Sequence, residues 1–193
     1  APVGHAGDPP IALVARLVER AQPLVEPRRA RGEVGPHEGV DDLVHQGKIL
    51  YAGVSNWAAW QIAKALGISA LKNLARFECI QPMYSLVKRQ VEVELLPLAQ
   101  SEQVGVITYS PLGGGLRTGK FGVDRRPESG RLTVNKMYQN RYGDEINYEV
   151  ADRLTAYAAA HGEHPATLAV AWAMSHPAIT APIVGARNLE QLA

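Results

Sequence analysis

Tyr109-Ser-Pro-Leu-Gly-Gly-Gly-Leu-Arg-Thr-Gly-Lys120 follows directly on the apolar run Val104-Gly-Val-Ile-Thr108. An apolar strand opening into a glycine-rich loop that ends in lysine brings bare backbone and a cation close to phosphate oxygens. Gly114 to Lys120 also satisfies G-x-x-x-x-G-K, the first part of the triphosphate-binding loop. Two features argue against that loop. Phe121 stands where Ser or Thr would place a hydroxyl on magnesium. Gly122-Val-Asp-Arg-Arg-Pro-Glu-Ser-Gly130 then follows, polar and broken by Pro127 and Gly130, where a helix should open onto the phosphates. That run reads as a long loop. A glycine-rich turn without a ligand is the bland alternative. Three consecutive glycines and Lys120 favour an anion instead, namely a dinucleotide phosphate.

Other polar residues with binding chemistry also follow apolar runs. Ser55 and Asn56 end Leu50-Tyr-Ala-Gly-Val-Ser55, Gln81 ends Phe77-Glu-Cys-Ile-Gln-Pro82, and Gly185 to Arg187 end Pro182-Ile-Val-Gly185. Those runs, with Gln103–Thr108, predict four strands. Helices are predicted over Trp57–Leu66, over Val91–Glu102 with Pro97 as a kink or restart, over Tyr148–His161, and from Pro165 to Ser175. Strands alternating with helices imply an α/β fold of parallel β/α units, whose strand ends are the ligand edge. Four such sites in a row suit a β/α barrel better than a bundle or an all-β fold.

The first forty residues differ. Val25 to His37 is dense in Pro, Gly and Arg and shows no period, and Ile11–Val18 is the one stretch there with helical character. Residues 1–40 read either as an irregular, flexible arm or as sequence replaced through truncation, rearrangement or a shifted frame.

Composition sets wider bounds. At 193 residues, with 46% hydrophobic and 20% charged residues, the chain fits one globular domain with a proper core. A formal net charge of +1 argues against a nucleic-acid partner. The lone Cys79 lies in an apolar run and reads as an inert thiol. No run of about 18 apolar residues and no basic-then-apolar N-terminus occurs, so a cytoplasmic protein without a membrane partner is expected. His37, His45, His161, His164 and His176 show no metal-ligand spacing, so no metal is expected and each reads as solvated.

Four motifs in order, Gln46-Gly-Lys-Ile-Leu-Tyr-Ala-Gly-Val-Ser-Asn-Trp57, Ile80-Gln-Pro-Met-Tyr-Ser85, Tyr109-Ser-Pro-Leu-Gly-Gly-Gly115 and Pro182-Ile-Val-Gly-Ala-Arg-Asn188, resemble the aldo-keto reductases. The resemblance is greatest to longer bacterial members and the potassium-channel β-subunit branch, and it covers residues 41–193. It implies a partial (β/α)8 TIM barrel, the second half with four parallel β/α units, behind the irregular arm. It also implies NADPH-dependent reduction of a small aldehyde or ketone, in which the protein supplies position and charge to the cofactor.

By motif, Ser55, Asn56 and Gln81 would hold the nicotinamide carboxamide; turn residues satisfying backbone groups are the alternative. Tyr109 would lie against the nicotinamide ring, or is an ordinary core aromatic. Ser110, Leu112, Gly114 and Lys120 would line the phosphates, and Gly185 belongs to the same cofactor-binding set. Arg131 reads equally as a clasp over the cofactor or as a solvated surface arginine. Arg187 would meet a 2′-phosphate, favouring NADP over NAD, and Gln191 would approach the adenine.

The chain departs from the family pattern at Ser85, where Asn is commoner, and at Arg117, within a usually apolar run. The family's Tyr, Lys and Asp come from the first half of its barrel and match no motif here. His5 in His5-Ala-Gly-Asp-Pro-Pro-Ile11 is the one trace of its catalytic set, with spacing too long to Asp41. The expectation is therefore a truncated form, inactive or nearly so alone. A non-catalytic NADP-binding regulatory module and an inert fragment are the alternatives. Open barrel edges would favour self-association.

Overall fold

The structure is a computed structural model and describes residues 36–186 together with Leu189. The chain divides into two compact units, one of residues up to Gln81 with Leu98–Gly105, the other of Pro82–Pro97 with Val106 onward. The fold is α/β with parallel strand pairing, as in part of a β/α barrel. Residues 1–35 lie outside the description, and with them His5 and the expected helix at Ile11–Val18.

The first unit begins with α1 (Pro36–His45), a helix that straddles Asp41. Asp41 Oδ1 accepts from the Ala75 N–H at 2.6 Å, which ties α1 to the turn before the second strand. His37 is 5% exposed and lies edge-on to Phe77 at 5.2 Å, so it is a core histidine rather than a solvated one. The sequence around it is polar, but its place in the first turn of α1 turns the ring inward.

Strand β1 (Ala52–Ser55) pairs in parallel with β2 (Phe77–Gln81), placing Gly53 opposite Cys79 and Ser55 opposite Gln81. Gly53 is required here. A Cβ on it would collide with Cys79 Sγ and lie 3.0 Å from the Cys79 carbonyl oxygen. Between the strands runs α2 (Ala59–Lys72), which starts two residues later than predicted and ends six residues later. Its N-terminus is fixed by the Ala58 N–H donating to Gln61 Oε1 at 2.8 Å, and it ends at Asn73 in the left-handed region, φ 53°. The helix passes through Gly67, where a Cβ would meet nothing within 4 Å.

In the second unit the Val91–Glu102 segment is a 3-10 turn at Gln90–Glu92 followed by α3 (Leu95–Ser101), which continues into the first unit. Pro97 therefore marks a restart, in the first turn where its missing N–H costs nothing. Strand β3 (Gly105–Thr108) pairs in parallel with β4 (Ala181–Pro182). β4 is shorter and earlier than predicted, ending at Pro182. The Ile183 N–H still donates to the Thr108 oxygen at 2.7 Å.

The run from Phe121 to Gly130 is irregular, as expected of a loop. Three helices follow: α4 (Arg131–Val134), α5 (Lys136–Tyr142) and α6 (Glu145–Ala160). The first two were not foreseen, and α6 starts three residues before the expected Tyr148. Tyr157 on α6 stacks on His161 at the surface instead of facing the core. The last helix, α7 (Pro165–Met174), is capped by His164 Nδ1 accepting from the Ala166 N–H at 3.1 Å. The core of this unit joins Leu116, Phe121, Leu132, Tyr142, Tyr148 and Ala151.

Candidate functional site

In the first unit the expected nicotinamide residues stand at two paired strand ends. Ser55 Oγ donates to the Gln81 carbonyl oxygen at 2.7 Å, so the hydroxyl joins the two ends. Asn56, next along, is exposed and takes the left-handed conformation at φ 58°, which Asn tolerates. Ser55, Asn56 and Gln81 are thus neighbours. Behind them Cys79 is partly buried, and burial first, then the Glu78 charge, pushes its thiol up.

The second unit holds the glycine-rich segment. Tyr109 continues β3: its N–H donates to the Pro82 oxygen at 3.0 Å and its carbonyl accepts from Tyr84 at 3.2 Å. Ser110 turns the chain at φ 57°, a left-handed conformation uncommon outside Gly and Asn. Leu112 follows half-buried, and Gly113–Gly115 form a 3-10 turn. The N–H groups of Gly113, Gly115, Leu116, Arg117 and Thr118 donate to carbonyls within this segment. Gly114 sits at φ 71°, and a Cβ on it would stand 2.5 Å from Tyr138 Cδ1. The motif ends at Gly119 and Lys120, an exposed side chain with no helix after it until Arg131. This absence of a following helix agrees with setting the triphosphate loop aside.

Arg131 is exposed at the start of α4, with its guanidinium 5.9 Å from the Tyr138 ring centroid. Gly185 is exposed after β4. Arg187 and Gln191 lie outside the described residues. The structure therefore gathers Ser55, Asn56 and Gln81 in one unit, and Tyr109, Ser110, Leu112 and Gly114 in the other.

Several residues around the turn escaped the sequence reading. Tyr142 is buried, donates its hydroxyl to Met83 Sδ at 3.0 Å and hydrogen-bonds the Ser110 side chain. Burial pushes its phenol up, and the Ser110 bond partly offsets this. The Tyr138–Tyr142 spacing of four was legible, but the flanking Gly130 and Asn135 made the segment look like loop. Arg117 is buried, with Nη1 3.5 Å from the Asn147 oxygen. Ser85, the other departure, is also buried.

Chemically, the first unit offers the hydrogen-bonding groups of Ser55, Asn56 and Gln81, and the second offers a glycine turn and an exposed lysine, which carries a positive charge for an anion. Among the described residues no three His, Cys, Asp or Glu form a metal-holding group, and no helix is long and apolar enough to cross a membrane.

Residues 37–193 match the family described as the aldo/keto reductase family. Over 158 residues the chain is 34% identical to an uncharacterized oxidoreductase, YrpG, of Bacillus subtilis, covering 80% of this chain and 45% of that protein. It is 34% identical over 146 residues to Protein tas of Escherichia coli, covering 76% and 42%. It is 33% identical over 156 residues to a putative voltage-gated potassium channel subunit beta of Schizosaccharomyces pombe, covering 78% and 45%. The chain spans somewhat less than half the length of these curated relatives.

Proposed function

The chain belongs to the aldo/keto reductase family, and from that premise we propose that it carries the dinucleotide-binding part of an NADPH-dependent reductase of small aldehydes or ketones. One observation carries the reading. Most of the described residues assigned to the cofactor lie at or just past the C-terminal end of a parallel strand: Ser55 and Asn56 at β1, Gln81 at β2, Tyr109 and the glycine turn at β3, Gly185 after β4; Lys120 and Arg131 come from the segment after that turn. That edge is where β/α units place ligands.

The residues present fit the cofactor. Ser55 and Gln81 stand side by side at paired strand ends, where hydroxyl and amide groups match a carboxamide. The exposed Lys120 supplies a point charge for phosphate. Arg187 would favour NADP through its 2′-phosphate. Bound NADPH supplies the reducing equivalent; the chain's own residues bind it, orient it and cover one face of its ring with Tyr109.

Taken alone, the chain is inferred to be inactive or nearly so as a carbonyl reductase. No motif in it matches the family's Tyr, Lys and Asp, and loss of a general acid alone lowers rates about 10²–10⁴-fold. A purely regulatory NADP-binding role is the second reading, favoured by the similarity to the S. pombe channel-subunit protein. A cytoplasmic location and weak self-association complete the proposal.

NADPH fluorescence titration of the 193-residue chain tests it. Saturable micromolar binding is expected, weakened about tenfold or more in Lys120→Ala, the size of one charged contact. Absence of binding overturns the reading. Turnover of an aldehyde panel near an ordinary enzyme rate, about 10 s⁻¹, overturns the inference of inactivity. Binding without turnover agrees with both the truncated-reductase and the regulatory reading.

A further inference from the structure

In the first unit α2 turns an apolar face away from its own core. Ile62, Ala65 and Leu66 are buried on one side, while Trp60, Ala63, Lys64, Gly67, Ala70 and Leu71 are exposed on the other. Trp60, Lys64, Gly67 and Leu71 follow at steps of four, three and four, which aligns them in one stripe along the helix. The two ends of the stripe are large, Trp60 at 60% and Leu71 at 86% exposure. Its middle is bare, with Gly67 open above and the small Ala63 and Ala70 beside it. Glycine within a helix lowers its stability relative to alanine. A bare place between two large apolar side chains is a seat for the side chains of another element, and an apolar patch of this kind marks a contact surface.

We propose that residues 11–18 of the chain's own N-terminal arm dock as a helix on this face of α2, their apolar side covering Trp60, Gly67 and Leu71. The arm joins the described chain at Pro36, close to one end of that stripe. Glu38 Oε1 lies 3.2 Å from Lys72 Nζ, in the last turn of α2 and next along from Leu71. Seventeen residues, 19–35, tether the segment. Extended, such a tether reaches about 55–60 Å, against about 21 Å for the whole of α2. Ile11, Val14, Ala15 and Val18 follow at steps of three, one and three, the spacing of one apolar helix side. Eight residues do not hold a helix free in water, so that side needs a surface to form on. Lys64 is the one charge in the stripe, and Glu19, directly after Val18, brings the opposite sign. A twofold contact with α2 of a second copy would instead bring two Lys64 side chains together with no acid between them.

Thiol alkylation of the 193-residue chain, followed site by site by peptide mass spectrometry, tests the docking. Ala70→Cys puts a thiol on the face beside Leu71, and Glu149→Cys, exposed on α6, is the reference. Each rate is taken relative to that of the same chain unfolded in urea. With the arm docked in about nine chains of ten, position 70 should react about tenfold more slowly than position 149. Adding Val14→Asp, which charges the apolar side of the segment, should bring position 70 within about twofold of the reference. The protection should be the same at about 1 and about 100 μM, as a segment of the same chain requires. Amides of residues 13–18 should exchange about tenfold more slowly than in an unstructured chain. Equal rates at positions 70 and 149, protection that survives Val14→Asp, or unprotected amides at 13–18 each overturn the docking. Protection lost on dilution overturns it in favour of a second copy on this face. Should Val14→Asp not fold, Val14→Ser makes the same comparison, and protection unchanged in it overturns the docking.

Discussion

Arg117 is the largest of the fully buried side chains, 1% exposed, in a run where the resembling family is apolar. Its Nε and Nη2 have no hydrogen-bond partner among the described residues, and Nη1 reaches the Asn147 oxygen only at 3.5 Å. Burial pulls the guanidinium down to about 10, so it remains charged at neutral pH. A buried cation without a carboxylate is costly, and an apolar side chain of similar volume removes the cost. Arg117→Leu should therefore raise stability by about 1–3 kcal/mol, read from the urea midpoint at pH 7. An equal or lower midpoint would show that the guanidinium is satisfied. The sign with pH follows from a folded value below that of the unfolded chain. The penalty is present in full below about 10 and is relieved as pH rises above it.

Pairing of elements depends on a few contacts that composition hides. Where β1 meets β2, Gly53 makes room for Cys79. Gly53→Ala should cost about 1–3 kcal/mol by overpacking, and Cys79→Ala on that background should restore part of it. Equal losses in the single and double variants would mean that the strands simply shift apart. A second joint fastens the Gln90–Glu92 turn to α7. Tyr84 donates to Glu92 Oε1 at 2.7 Å, Arg89 clasps the same carboxylate at 2.9 and 2.8 Å, and the Tyr84 ring stacks on Trp172 at 5.2 Å. Arg89 first and Tyr84 next hold the Glu92 carboxyl below its ordinary value of 4.5. Its stabilisation is complete above that value and is lost as pH falls below it. Glu92→Gln should flatten the acid side of the stability profile, measured as urea midpoints from pH 7 to 3. Glu92→Ala, which strips the buried Tyr84 hydroxyl of its acceptor, should cost about 1–3 kcal/mol.

These joints also show what the sequence could carry. β1, β2 and β3 were legible because apolar runs ending in Ser, Gln or Tyr-Ser-Pro leave little choice of element. The parallel pairing followed from helices between strands. α4 and α5 were not legible: Gly130 and Asn135 punctuate them as a loop would, and only tertiary contact with the glycine turn makes Tyr138 and Tyr142 helical partners. His37 misled for a related reason: residue type argued for solvent, while one turn of helix aimed it inward. At the candidate site the residue types were readable, but the ring covering Gly114 was not, since it comes from 24 residues further along the chain.

For the molecule as a whole, the proposed self-association would use the strand edges. Among the described residues β4 pairs with β3 alone, and Ile183 and Val184 follow it, 38% and 60% exposed. An unpaired strand edge with apolar residues beside it is a template for a second chain. Pro182 interrupts that edge, since it has no N–H to donate, and so limits the contact to a short one. The balance of the two favours weak, reversible association rather than an obligate dimer. Sedimentation of the 193-residue chain should then show a weight-average mass that climbs with concentration across the micromolar to millimolar range. Val184→Lys places a charge beside the edge and should suppress the climb without lowering the urea midpoint by more than about 0.5 kcal/mol, as expected for an exposed position. Glu149→Lys, exposed on α6 and far along the chain from that edge, is the matching control and should leave the climb intact. A mass constant with concentration in the parent, or a climb that Val184→Lys leaves untouched, would remove the β4 edge as the contact.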